Sequence, residues 1–225
     1  MSDERYWDER YLQGLIGWDI GHVSPPLRVY FDQLTDKHLA ILIPGCGNSY
    51  EAEYLLKKGF TNITLLDISP VLIGRLRERL PVTPALNLLQ TDFLDHRGQY
   101  DLIVEQTFFC ALDPALRPAY VDQMHLLLKP GAHLAGLLFD RDFSPPGPRD
   151  TPEVGRPKAN HPPYGGHKPE YQQLFEKRFK LKTLTPCYNS IKPRAGSELF
   201  LIAEKPAAMP PVENLHFDRS LPGEY

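Results

Sequence analysis

The sequence predicts an α/β fold, a mostly parallel sheet with helices on both faces. Three observations predict it. Short apolar runs alternate with stretches of helical period through the first two thirds of the chain. The first run, Leu39–Pro44, opens into Gly45-Cys46-Gly47, where backbone can approach a ligand closely. The second run ends in an acid, Asp67, 20 residues beyond Gly47.

The elements follow in order. Residues 39–44 are short, apolar and closed by glycine, so they are expected as a buried parallel strand. Residues 50–58 place Tyr50, Tyr54 and Leu55 in helical spacing, and Gly59 stops that helix. Residues 62–67 form the second strand. Ser69-Pro70 opens the next helix, since serine caps and proline suits the first turn. Leu72, Ile73, Leu76 and Leu80 line one face of it, and it stops before Pro81. Residues 85–90 and 100–104 are the third and fourth strands. A helix over 117–128 carries Tyr120, Val121, Met124, Leu127 and Leu128. Lys129-Pro130-Gly131 reads as a turn into a fifth strand over 132–139. A helix over 168–177 and strands at about 180–186 and 197–204 close the pattern. No internal repeat is present.

Composition bounds the function. The chain has 225 residues and a net charge of −3, which argues against a broad nucleic-acid surface. Its N-terminus is charged, without the apolar core of a signal peptide, and no apolar run reaches membrane-spanning length. Cys46, Cys110 and Cys187 are too few and odd in number for a disulfide scaffold, so a cytoplasmic protein is expected. The 23 prolines are in excess. Seven fall within residues 144–163 and four beyond Lys205. One domain over 1–205 is therefore expected, with a proline-rich insertion at 144–163 and an extension at 206–225. The insertion is expected as a semi-rigid cover over the carboxyl edge of the sheet.

Polar residues beyond consecutive strands form the candidate site. Asp67 can accept hydrogen bonds from the ribose hydroxyls of a nucleoside, or it can cap the following helix. Asp92 and Phe93 follow the third strand; an acid beside a ring can hold an adenine, or simply terminate the strand. Glu105 and Gln106 follow the fourth strand. The glycine turn lacks the third glycine of a dinucleotide fingerprint and the Gly-Lys-Ser/Thr of a phosphate loop. A nicotinamide-dependent oxidoreductase is thereby disfavoured, and a non-catalytic nucleoside-binding protein stays open.

The motifs together resemble the thiopurine S-methyltransferase superfamily, and within it the halide/thiol methyltransferases. The resemblance is carried by Trp7-Asp8-Glu9-Arg10-Tyr11, Gly17-Trp18-Asp19-Ile20-Gly21, Pro44-Gly45-Cys46-Gly47 and Leu66-Asp67-Ile68-Ser69. It extends through the segment from Tyr100 to Leu112, Arg117-Pro118-Ala119, Leu127-Leu128-Lys129-Pro130-Gly131 and Pro162-Pro163-Tyr164. It implies a Rossmann-like class I methyltransferase with a seven-stranded sheet and S-adenosyl-L-methionine as cofactor. It implies that Trp7, Tyr11 and Trp18 close over the cofactor as part of a lid spanning 1–35. It further implies that Gly45 marks the glycine turn, Asp67 the ribose acid, Asp92 and Phe93 the adenine site, and Gln106 the methionine side. Tyr11 stands where tryptophan is usual, and Gln106 where the plant branch has tyrosine.

A sulfonium is cationic, so aromatic faces attract it. The lid aromatics serve that purpose or ordinary core packing. The resemblance implies a small soft acceptor, such as a thiol, hydrosulfide, halide or thiopurine, methylated by in-line displacement. Alignment and water exclusion then suffice, with no catalytic triad and no metal. Arg141 and Tyr164 are the acceptor-side candidates; an arginine there equally suits a solvent-exposed loop. His161 and His167 lack a metal-ligand spacing. Cys46 and Cys110 read as packing residues, not nucleophiles. No nucleic-acid or membrane partner is expected, and a monomer is the simplest expectation.

Overall fold

The computed structural model describes residues 4–143 and 161–207. A seven-stranded sheet runs in the order β3-β2-β1-β4-β5-β7-β6. Its strands are β1 (Ile41–Pro44), β2 (Ile63–Asp67), β3 (Leu86–Gln90), β4 (Tyr100–Gln106), β5 (Leu128–Phe139), β6 (Lys180–Pro186) and β7 (Glu198–Glu204). The first five pair in parallel, and β7 runs antiparallel to both β5 and β6. Helices α1 (Glu4–Gln13), α2 (Pro25–Asp32), α3 (Tyr50–Lys57), α4 (Pro70–Arg79), α5 (Arg117–Leu127) and α6 (Lys168–Phe175) flank it.

Strands β1 and β2 are buried at every position because helices cover both sheet faces. Side chains alternate between two cores. Leu42, Leu66 and Ile103 face Tyr120, Met124 and Phe175 of α5 and α6. Ile41, Ile43, Ile63, Leu65, Leu102 and Val104 face the other way, onto α2, α3 and α4. Helix α4 starts as the sequence predicts: the Ser69 hydroxyl accepts the Leu72 amide at 3.1 Å, with Pro70 in the first turn.

Two readings change. Glu105 and Gln106 are the last residues of β4 instead of lying beyond it, because β4 pairs with β5 as far as Gln106↔Leu137. Lys129-Pro130-Gly131 is an irregularity inside β5, not a separate turn. The register shifts there, and Lys205 closes the kink: its carbonyl accepts the Gly131 amide and its amide donates to Ala132, both at 2.9 Å. Within the stretch expected as a lid, 1–35, helix α2 buries Leu27 and Phe31 completely in the core. Most of the 144–163 insertion and nearly all of the 206–225 extension, and with them the expected substrate cover, lie outside the described residues. Among the described residues no helix is long and apolar enough to cross a membrane.

Helix α1 is polar, with Tyr11 its one buried residue. Named polar contacts hold it to α4. The Asp8 carboxylate accepts from the Ser69 hydroxyl at 2.5 Å and from the Val71 amide at 3.3 Å. Arg75 donates to the Tyr11 carbonyl at 2.8 Å. Asp8 therefore caps α4 in trans. Asp8→Ala is expected to speed amide hydrogen exchange in α1 by about tenfold, from loss of one cap, with the sheet unchanged. Unaltered α1 protection would remove Asp8 from that role. Gly45 has φ +54°, and a Cβ there would meet the Phe108 ring at 2.2 Å. Gly45→Ala is expected to lower unfolding stability by about 1–3 kcal/mol. Gly17→Ala, into open space, is expected to cost about 0.5–1 kcal/mol or less in the same denaturant titration.

Candidate active site

A cavity of about 630 Å³ opens at the carboxyl ends of β1, β2, β4 and β5. Its location follows from the topology: α3 leaves β1 toward one sheet face, while α5 follows β4 on the other.

The floor is the glycine turn. Gly45 and Gly47 both have positive φ, and the Cys46 amide donates to Leu66 carbonyl at 3.1 Å, which ties the turn to the end of β2. Asp67 lies against it, 7% exposed. Its carboxylate accepts the Ser69 amide at 3.0 Å and, at 3.5 Å, the Gly47 amide. Burial raises its pKa to about 6, against the opposing pull of those backbone donors. Asp67 therefore serves neither reading exclusively: it braces the turn before α4 while lining the cavity, and Ser69 is the cap.

The α1 side supplies the roof. Trp18 meets Trp7 edge to face at 5.5 Å and Tyr11 at 5.8 Å between ring centres. All three rings line the cavity. Tyr11 is buried, and burial pushes its phenol pKa far up, so it stays protonated. These aromatics thus roof the site and pack into the core at once. Two residues that sequence reasoning passed over hold the roof to the floor. Asp19 accepts from the Asn48 side-chain amide and from Tyr50 hydroxyl (3.3 Å), both just past the glycine turn. Their adjacency to Trp18 and Gly47 was the available signal.

On the β3 side, one Asp92 oxygen accepts the Leu94 amide at 2.8 Å and caps a short 3-10 turn. Phe93 is buried and packs edge to face on Phe108 at 5.3 Å. Both line the cavity. At the end of β4, Gln106 is half-buried on the wall, and Thr107 takes a left-handed φ of 58° as the chain turns away. Glu105 points elsewhere. It is fully buried, and its Oε1 accepts the Phe108 and Phe109 amides, each at 2.8 Å. Burial raises its pKa to about 7. Glu105 thus shapes the turn that carries Phe108 without itself lining the cavity.

On the β5 side the wall is Phe139, Arg141, Phe143 and the pair Pro162-Pro163. Arg141 is exposed, and its guanidinium stacks 4.9 Å from the Phe143 ring. Tyr164 is not on the cavity wall; its amide donates to Cys110 carbonyl at 2.7 Å, which holds this segment beside the β4 turn. Buried Arg117 pins the same segment, donating to Gly165 carbonyl at 2.6 Å and to Glu170 at 2.8 Å. Cys46 and Cys110 are buried and their thiols are pushed up, Cys110 to about 12, so neither is a ready nucleophile.

The arrangement is an aromatic-roofed crevice with one buried carboxylate, Asp67, on its floor and a cationic, aromatic wall on its β5 side. A family model described as Thiopurine S-methyltransferase (TPMT) matches residues 2–207. A probable thiol methyltransferase 2 from Arabidopsis thaliana is 27% identical over 198 residues, covering 85% of this chain and 81% of that protein. A thiopurine S-methyltransferase from Nitrosospira multiformis is 23% identical over 200 residues, covering 80% of this chain and 84% of its own length. Among solved structures, the 1,6-didemethyltoxoflavin-N1-methyltransferase of Burkholderia thailandensis superposes with a TM-score of 0.68 at 18% identity, over 90% of this chain and 87% of that one. The magnesium protoporphyrin IX methyltransferase of Synechocystis gives 0.65 at 12% identity, over 90% and 94%. The fold is that of class I methyltransferases, and the chain belongs to the thiopurine S-methyltransferase family.

Proposed function

We propose that this chain transfers a methyl group from S-adenosyl-L-methionine to a small soft nucleophile: a thiol, hydrosulfide, halide or thiopurine. The observation that carries this reading is Asp67, a buried carboxylate at the tip of β2 braced by the glycine-turn amide, beneath three aromatic rings. Names among the relatives point the same way: a thiocyanate methyltransferase 1 from Brassica oleracea is 28% identical over 152 residues.

The residues present fit the cofactor. When bound, it supplies a methyl on a sulfonium centre, activated for in-line displacement. Asp67 would accept both ribose hydroxyls, and Asp92 with Phe93 would hold the adenine. The positive-φ glycines let backbone lie close to the ligand, and Gln106 would meet the methionine side. Trp7, Tyr11 and Trp18 would exclude water and offer ring faces to positive charge, a contact worth about 0.5–2 kcal/mol each. Arg141 would draw an anionic acceptor to the β5 side by charge. An acceptor that arrives as an anion needs no base, so the protein's contribution is alignment and dryness. Three unpaired cysteines suit a reducing, cytoplasmic setting.

Asp67 is a shifted carboxyl that lines the cavity, so cofactor binding would read its titration. Its native pKa of about 6 exceeds the ordinary 3.8, so the native state holds this proton more tightly than the unfolded chain. That contribution to stability is fully present below about pH 4 and is lost as pH rises through about 6. Ribose hydroxyls donate to the ionised form, so cofactor affinity runs the opposite way. The Kd for S-adenosylhomocysteine is expected to fall by about tenfold from pH 5 to pH 7 by calorimetry. Asp67→Asn is expected to flatten that profile, and Asp67→Ala to weaken binding at least about tenfold at pH 7. A flat wild-type profile would separate Asp67 from the ribose.

For the acceptor, labelled methyl donor with hydrosulfide, thiocyanate, iodide or 6-mercaptopurine is expected to give methylated product with at least one. Arg141→Ala is expected to raise the KM of that acceptor by about threefold to tenfold and leave the cofactor Kd unchanged. Tight cofactor binding with no methylation of any of the four would favour the non-catalytic nucleoside-binding reading.

A further inference from the structure

We infer that Arg194 is a positioning residue: a strut that fixes the aromatic lid to the acceptor wall, acting through Trp18 and Phe139. This rests on the lid reading given above. Arg194 closes a 3-10 turn, Lys192–Arg194, between β6 and β7. It is 8% exposed yet reaches the cavity. Its Nη2 donates to the Trp18 carbonyl at 2.6 Å, across 176 residues of sequence. Its Nη1 pairs with buried Glu198 at 3.3 Å. The same guanidinium lies 5.5 Å from the Phe139 ring.

One planar group therefore touches the lid, β7 and the end of β5. Contacts continue on both sides. Trp18 carries Trp7 and Tyr11 edge to face. Phe139 carries Phe143 at 4.9 Å, which is stacked by Arg141. The result is an unbroken series from the cofactor roof to the acceptor wall with Arg194 at its centre. The Trp18 carbonyl lies in a loop between Gly17 and Gly21, where backbone is intrinsically free. The charged Arg194 donor on the Trp18 carbonyl removes that freedom at one fixed point. The fork geometry matters: lysine can keep the charge beside Glu198 but cannot bond two partners in one plane while covering an aromatic face.

The two tryptophans of the chain, Trp7 and Trp18, both lie in the lid, so tryptophan fluorescence reads the lid alone. Three full-length variants test the strut: Arg194→Lys, Glu198→Gln, and the double variant Arg194→Met with Glu198→Gln, which leaves no unpaired buried carboxylate. The readouts are acrylamide quenching without ligand, the Kd for S-adenosylhomocysteine, and thermal unfolding. In Arg194→Lys and the double variant, quenching is expected to rise about twofold and the Kd about tenfold, with cooperative unfolding retained. Glu198→Gln, which keeps the Trp18 bond, is expected to leave quenching at the wild-type level. Wild-type quenching in both Arg194 variants would overturn the strut, as would a lid loosened equally by Glu198→Gln. Failure of the wild type to bind S-adenosylhomocysteine would instead contradict the proposed function, while the quenching comparison still decides the strut.

Discussion

The position of β1 in the sheet constrains everything else at the site. It pairs with β2 on one side and β4 on the other, and the chain leaves those strands toward opposite faces. A crevice must open where the two paths diverge. Both sheet faces are already committed to core packing, so the crevice is confined to the carboxyl edge. The glycine turn, Asp67, Phe108 and Gln106 converge there because each sits at, or just past, the end of a strand flanking that divergence. Gly45 is required twice over, by its positive φ and by the Phe108 ring packed upon it.

Burial at this edge then sets the electrostatics. Asp67 ends β2 and Glu105 is the penultimate residue of β4, on either side of β1, and both are held by backbone amides instead of cations. Two or three amides lower a carboxyl pKa, but here desolvation outweighs them, so both groups titrate well above the usual carboxylate range. Their uses differ. Asp67 lines the cavity. Glu105 is spent internally, orienting the turn that presents Phe108, and Gly136 leaves room for it, since a Cβ there would stand 2.7 Å from the Glu105 Cβ.

The sheet was legible in the sequence because its strands are apolar, short and punctuated by glycine, proline and serine, and α4 was legible through Ser69-Pro70. Helices α1 and α2 were not. Helix α1 has little apolar face, and what docks it is Asp8 reaching the α4 N-terminus 61 residues away. Helix α2 has only eight residues and begins with two prolines, which resemble a loop. The end of β4 was misplaced because Glu105 and Gln106 look like strand-terminating polar residues, yet their backbones pair with Gly136 and Leu137. Within the site, the residues adjacent to glycines and strand ends could be picked out. Asp19 reaching Asn48, Arg117 reaching Gly165 and Arg194 reaching Trp18 are long-range partnerships that no local pattern encodes.

The proposed function requires the crevice to be a nucleoside site closed by α1 and the loop that follows it. Hydrogen–deuterium exchange with and without S-adenosylhomocysteine tests this most directly. Added protection is expected in four stretches that are separate in sequence: 7–19, 45–50, 67–70 and 91–94. Protection absent from these stretches, or concentrated along β6 and β7, would contradict it.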